Sequence, residues 1–259
     1  MKKIFLLSLV VLATQFGFAQ KVVMMQGNLK VTMQTESFDY PEAALTLNEP
    51  DNFNLEKADT VKFKFQVESF SLGNLTPDYL SRRCANSAKG QHIHFILDNK
   101  PYEALYKPQT KAYLTPGNHL MLAFLSRSYH ESIKTKTAFV LKQIKVGDTK
   151  LPDYDLTKPM LFFSRPKGIY VGADTGKVMI DFYLVNTILS AKGNKVKATI
   201  NGKSFMLTDW KPFLIEGLPM GESTIKLELV DKKGKIIEGP YNVTERKITL
   251  AASEPMKSH

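Results

Sequence analysis

The chain has 259 residues, 43% of them hydrophobic, a formal charge of +10 and one cysteine, Cys84. A single cysteine excludes an intrachain disulfide, so any domain must stand on its apolar core. Basic residues alternate along strands and fill turns such as Asp231-Lys232-Lys233-Gly234-Lys235 rather than clustering with aromatics, which argues against nucleic acid and for a solvated face.

In chain order, Lys2-Lys3, the apolar run Ile4 to Ala13 and the small residues of Gly17-Phe18-Ala19 predict a secretory signal peptide over 1–19. The protein is therefore expected to be exported, to a periplasm or secreted beyond the cell. No later stretch reaches the roughly 20 apolar residues of a transmembrane helix. Residues 20–45 are expected to form an N-terminal strand or tail. From there the chain is written twice. Ala58-Asp59-Thr60 before Val61 to Phe65 recurs as Ala173-Asp174-Thr175 before Val178 to Phe182, and Leu97-Asp98-Asn99-Lys100 answers to Ile200-Asn201-Gly202-Lys203. Leu114-Thr115-Pro116-Gly117 likewise answers to Leu218-Pro219-Met220-Gly221.

Short alternating segments between turn residues predict an all-β fold of two tandem immunoglobulin-like sandwiches. The first covers 46–150 and the second 159–251, with 151–158 as linker and 252–259 as a frayed tail. Strand B of the first copy is predicted over 61–72, strand C over 91–97, strand F over 120–125 and strand G over 139–146. Asp98-Asn99 and Asn201-Gly202 supply positive-φ residues for two-residue hairpins.

The duplicate sets the register. In the second copy Val196, Ala198 and Ile200 must face the core while Lys195, Lys197 and Thr199 face out. The matching outward residues of the first copy are His92, His94 and Ile96, joined on strand F by Leu120, Leu122 and Phe124. Such an apolar face needs a cover, either the long stretch 73–90 between strands B and C, the other domain, or a ligand. The B–C and F–G loops of such a sandwich emerge at one end. That end gathers the candidate ligand-binding residues Arg82, Arg83, His92, His94, Arg127, Ser128, Tyr129 and His130, with Glu131 beside them. His119, at the other end of strand F, reads as structural.

Gly90-Gln91-His92-Ile93-His94-Phe95-Ile96-Leu97-Asp98-Asn99 and Leu125-Ser126-Arg127-Ser128-Tyr129-His130-Glu131-Ser132-Ile133-Lys134 resemble a group of exported Bacteroidota-type proteins labelled phosphopeptide-binding. The resemblance covers about residues 50–147, and the second copy lacks both motifs. It implies ligand binding by the first domain alone. Arginine forks suit an anionic peptide or small ligand, phosphorylated or acidic. An alternative is copper or zinc held by His92 and His94, with His130 or Cys84 completing the set, because imidazoles at i and i+2 of a strand point to one side. Cys84 also reads as a small buried hydrophobe. No Gly-x-Ser-x-Gly, His-Glu-x-x-His, phosphate-loop or dinucleotide motif is present, so the expectation is a binding protein, not an enzyme. The second domain is expected to be a spacer or a docking module for a cell-envelope protein.

Overall fold

The computed structural model of the chain describes residues 23–34 and 36–253. The expected signal peptide and most of the expected tail lie outside the described residues. Among those described, no helix is long and apolar enough to cross a membrane.

The fold is all-β. Its strands, in chain order, are β1 (Val23–Gln26), β2 (Leu29–Met33), β3 (Ala44–Glu49), β4 (Asn54–Leu55), β5 (Asp59–Glu68), β6 (His92–Leu97), β7 (Glu103–Leu105), β8 (Gln109–Leu114), β9 (Gly117–Ser126), β10 (Phe139–Val146), β11 (Met160–Arg165), β12 (Gly168–Val171), β13 (Val178–Val185), β14 (Lys195–Ile200), β15 (Lys203–Leu207), β16 (Phe213–Glu216), β17 (Gly221–Val230) and β18 (Val243–Ala251). One helical turn, α1 (Tyr79–Arg82), interrupts the stretch between β5 and β6.

The first sandwich packs sheet β3-β5-β8 against sheet β4-β10-β9-β6-β7. Strand β5 shows why. Val61, Phe63 and Phe65 are buried and Lys62, Lys64 and Gln66 are exposed, the alternation a half-covered strand requires. It ends at Glu68, short of the expected Leu72, because Ser69 turns to positive φ. Asp98 and Asn99, and in the second copy Asn201 and Gly202, take the positive φ that their hairpins demand.

The second sandwich packs sheet β1-β2-β16-β13-β11 against sheet β12-β18-β17-β14-β15. Its first two strands come from the segment expected to be an N-terminal strand or tail. Strand β2 pairs with β16, Met33 against Phe213 and Val31 against Ile215, and Leu29, Val31 and Met33 enter the second core. Gly217 permits this close approach: a Cβ there would lie 2.0 Å from the Asn28 carbonyl oxygen.

The outward face of β6 and β9 is closed by the second sandwich. Ile96, Leu120, Leu122 and Phe124 pack with Met160 and Phe162 of β11 and Tyr183 and Val185 of β13, so both faces of β9 and β13 are buried. Of the expected covers, the other domain takes this strip. Buried Asp181 of β13 fastens the boundary, accepting from the Ser132 hydroxyl at 3.0 Å and pairing with Lys134 at 2.9 Å. The Phe163 amide donates to Asn99 Oδ1 at 2.9 Å, and Arg246 donates to the Asn99 carbonyl at 3.0 Å. The linker runs against the first sandwich, where the Asn118 side-chain amide donates to the Leu151 and Pro152 carbonyls.

Candidate metal centre at the domain boundary

The parity read from the duplicate places His92 and His94 on the outward face of β6, and the structure puts them there, fully buried against the second sandwich. They lie opposite Ser126 and Phe124 of β9, while Ile93 and Phe95 enter the first core. Gly90 prepares the entry to β6. It has φ +83°, and a Cβ would meet the Gly73 carbonyl at 2.4 Å, so only glycine fits. Its carbonyl oxygen accepts from His92 Nδ1 at 2.9 Å. A carbonyl has no proton to give, so Nδ1 carries the hydrogen and Nε2 keeps its lone pair.

That Nε2 faces His94 Nε2 at 2.9 Å and His130 Nδ1 at 3.1 Å. The far side of His94 is engaged too, Nδ1 lying 3.0 Å from the Ser164 hydroxyl. Ser164 belongs to the second sandwich, at the β11 bulge where pairing with β13 shifts between Phe163 and Arg165. Bulges re-aim side chains, and this one supplies the hydroxyl that orients His94.

His130 arrives from the turn after β9, which has the same backbone as its counterpart after β17. Arg127 N donates to Glu131 O and His130 N to Arg127 O; in the second copy Asp231 N donates to Lys235 O and Gly234 N to Asp231 O. Ser126–Ser132 and Val230–Ile236 close the two turns as equivalent bridges. His130 therefore stands where the second copy has Gly234, with φ +68° against +82°. A non-glycine residue in this left-handed region is uncommon, and backbone strain concentrates at functional sites.

The three ligand-capable nitrogens lie within 4.8 Å of one another and could hold a metal ion. Burial keeps all three rings neutral. It is the main cause that brings His92 down to about 4 and holds His94 and His130 well below the usual histidine range, with the nearby Arg165 guanidinium adding to the effect. Neutral imidazole is the metal-binding form. The Tyr102 ring stacks on His94 with centroids 3.5 Å apart, and its hydroxyl lies 3.1 Å from His130 Nδ1.

The other expected site residues have different employment. Arg127 is buried, donating to the Phe38 carbonyl at 2.7 Å, to Glu131 at 3.2 Å and to the Ser132 carbonyl. Arg82 pairs with Asp78 and lies over the Tyr129 ring, while Arg83 is exposed in a left-handed conformation closing α1. Ser128 is fixed to Thr76 by a pair of hydrogen bonds, and Tyr129 is buried with its hydroxyl toward Asp78. The expectation that Arg82 and Arg127 present free forks to an anion is corrected accordingly, since internal acceptors engage both, whereas Arg83 stays exposed. Cys84 is also corrected as a ligand. It packs with Tyr129, Met179 and Leu214, apart from the three histidines, and burial pushes its thiol up to about 12. His119 is structural, held by Asp98 and the Thr115 carbonyl at 2.7 Å each.

Sequence reasoning missed the second sandwich's share of the site: Ser164, Arg165 and Lys167. Arg165 is buried with its Nε lacking a partner, and Lys167 lies 3.8 Å from the Tyr102 ring centroid. Burial, with Arg165 next, brings the Lys167 ammonium down to about 8. Only the unbroken apolar character of Met160 to Phe163 hinted that β11 meets another surface on both faces.

No protein-family model matches the chain, and no curated relative matches it. Among solved structures it is similar to the fibronectin(III)-like modules of CbhA from Clostridium thermocellum, at 13% identity over 83% of this chain and 100% of that one, TM-score 0.29. It is also similar to the central fibronectin-III array of RIM-binding protein, at 11% identity over 84% of this chain and 71% of that one, TM-score 0.27. A third is SGBP-B of a Bacteroides ovatus mixed-linkage glucan utilization locus, solved with a mixed-linkage heptasaccharide, at 11% identity over 80% of this chain and 47% of that one, TM-score 0.22.

Proposed function

We propose that this is an exported metal-binding protein whose first sandwich carries a copper or zinc centre on His92, His94 and His130. The observation that carries the reading is the close approach of the His94 and His130 ring nitrogens to the Nε2 of His92. His92 Nε2 has one lone pair, yet two ring nitrogens approach it at 2.9 and 3.1 Å. One lone pair accepts one good hydrogen bond, whichever tautomers the other rings adopt. A metal ion bound between the rings would relieve the conflict by taking the lone pairs as ligands. With metal–nitrogen bonds of about 2.0–2.1 Å, adjacent donors lie about 2.9 Å apart at a right angle and about 3.4 Å apart at the tetrahedral angle. The two separations from His92 Nε2 fall in that interval, and all three donor atoms lie within 4.8 Å of one another.

Supporting partners are in place: the Gly90 carbonyl behind His92 and the Ser164 hydroxyl behind His94 orient the rings as outer-shell groups do in metal sites. Imidazole sets suit zinc and copper over calcium or magnesium. His92 and His94 are wholly buried, which favours holding a metal over turning substrate at it.

The test is direct. Mature protein is stripped with chelator, dialysed against copper(II) or zinc(II) and then against buffer, and the retained metal is measured by elemental analysis. One ion per chain is expected, lost in His92→Ala and in His94→Ala. A wild-type protein that retains neither metal would overturn the reading.

A further inference from the structure

We infer that Arg165 and Lys167 of the second sandwich, with Arg246 behind them, form a site for a small tetrahedral oxyanion, phosphate or sulfate. The inference does not rest on the metal-centre reading, because none of these residues belongs to the histidine cluster.

Buried charge without a counter-charge carries the argument. Arg165 and Arg246 are each 8% exposed, and Lys167 is half-buried. Among the described residues, none of the three forms an ion pair with a carboxylate. Proteins seldom bury arginine or lysine unpaired, because taking the charge out of water is costly. Asp181 faces Arg165 across the β11–β13 ladder, but that carboxylate is taken by Ser132 and Lys134. After burial itself, the Arg165 and Arg246 charges are what hold the Lys167 ammonium below its ordinary range, so the cations act on one another with no anion between them.

Unused donors point to the same kind of ligand. Arg165 donates from Nη1 to the Tyr170 hydroxyl at 3.0 Å, while its buried Nε has no partner. Lys167 donates to the Tyr102 carbonyl at 2.6 Å and has further ammonium protons to give. Arg246 is turned to backbone, donating to the Ser164 and Asn99 carbonyls, so it contributes charge. The first two gather at Tyr102, the Lys167 ammonium 3.8 Å and the Arg165 guanidinium carbon 5.5 Å from its ring centroid. His94 covers one face of that ring at 3.5 Å, so the ammonium stands over the other. An oxyanion received by Arg165 and Lys167 supplies acceptors to both and offsets the charge, and guanidinium suits the geometry of phosphate and sulfate oxygens. Lys167, the most exposed of the three, is the point of entry. Three cations favour a dianion over chloride.

The experiment is equilibrium dialysis of the full mature protein, stripped of metal with chelator, against radiolabelled inorganic phosphate at fixed ionic strength. One phosphate per chain is expected, displaced by sulfate and not by the same concentration of chloride. Affinity is expected to fall at least about tenfold in Lys167→Gln and in Arg165→Gln, and to be unchanged in Lys232→Gln, a turn lysine of the same sandwich. A wild type that retains no phosphate would overturn the inference, as would wild-type affinity in Lys167→Gln. So would displacement by chloride as readily as by sulfate, or an equal loss in Lys232→Gln, either of which marks general attraction to a basic surface. Lys167→Gln, at the half-buried position, decides the matter if Arg165→Gln does not fold. Because the protein is metal-free throughout, the outcome is separate from that of the metal-retention test.

Discussion

His130 and Gly234 occupy the same position of two superimposable turns, one in each sandwich, both at positive φ. Where the second copy uses the residue that is comfortable there, the first carries a ring with a ligating nitrogen. His130→Gly and His130→Ala should therefore separate strain from chemistry. Both are expected to lose metal affinity. In metal-free protein, however, the glycine variant should be about 1 kcal/mol more stable than the alanine variant, because only a Cβ suffers in the left-handed region. Urea denaturation measures it, and equal midpoints for the two variants would show that the turn is unstrained.

Acid should destabilise the metal-free protein through the same cluster. In the unfolded chain each histidine titrates near 6.5, whereas burial brings folded His92 down to about 4 and holds the other two well below their ordinary value. Between pH 6.5 and 4 the unfolded chain binds protons that the native state refuses, so stability is fully present above the unfolded value and drains away as pH falls. Each group contributes a slope of up to roughly 1.4 kcal/mol per pH unit. Unfolding free energy measured at pH 7.5 and at pH 5 should differ by more than about 1 kcal/mol, and a flat profile would mean that the rings titrate normally.

Asp181 is the boundary's own anchor. It is completely buried and serves Ser132 and Lys134 across the domain boundary. Asp181→Ala removes the ion pair and leaves the Ser132 hydroxyl proton without its acceptor, while Lys134 keeps its bond to the Ser132 oxygen and some access to water. A loss of about 2–4 kcal/mol is expected. Chemical denaturation with tryptophan fluorescence suits the measurement, since Trp210 stands edge-on to Tyr183 at this boundary. A change below about 0.5 kcal/mol would mark the contact as incidental.

Cys84 should behave as a packed hydrophobe. With its thiol pushed up to about 12 by burial, it is protonated at ordinary pH and slow to react. Iodoacetamide at pH 8 is expected to label it slowly in native protein and rapidly in urea, at a native rate that zinc or copper leaves unchanged. Protection on metal addition would restore it as a ligand.

Much of this architecture was readable because the chain carries its own control. Lys195, Lys197 and Thr199 declare which side of their strand meets water, and their counterparts His92, His94 and Ile96 inherit the direction. Parity, however, says which way a side chain points and not what it meets. Strand β13 has no alternation to read, being buried on both faces, so its role as a lid over Leu122 and Phe124 depended on a contact between distant parts of the chain. The arginines misled for a related reason. Arg127 looked free because its acceptor, the Phe38 carbonyl, is a backbone atom that no side-chain pattern announces. The substitution of histidine for glycine at 130 was visible in the aligned turns, but only the backbone angles gave it meaning.

The hairpin of β1 and β2 has a consequence for how the polypeptide can be divided. Those strands belong to the second sandwich's sheet although the whole first sandwich separates them from it in sequence. In topological terms one module is spliced into the other. A polypeptide of residues 159–251 alone would leave β16 with a bare edge and Ile215 without Val31, inviting intermolecular strand addition. Ribosomal order then matters as well: the earliest-made strands wait for the latest-made ones, so the histidine-bearing module is built while its roof is still missing.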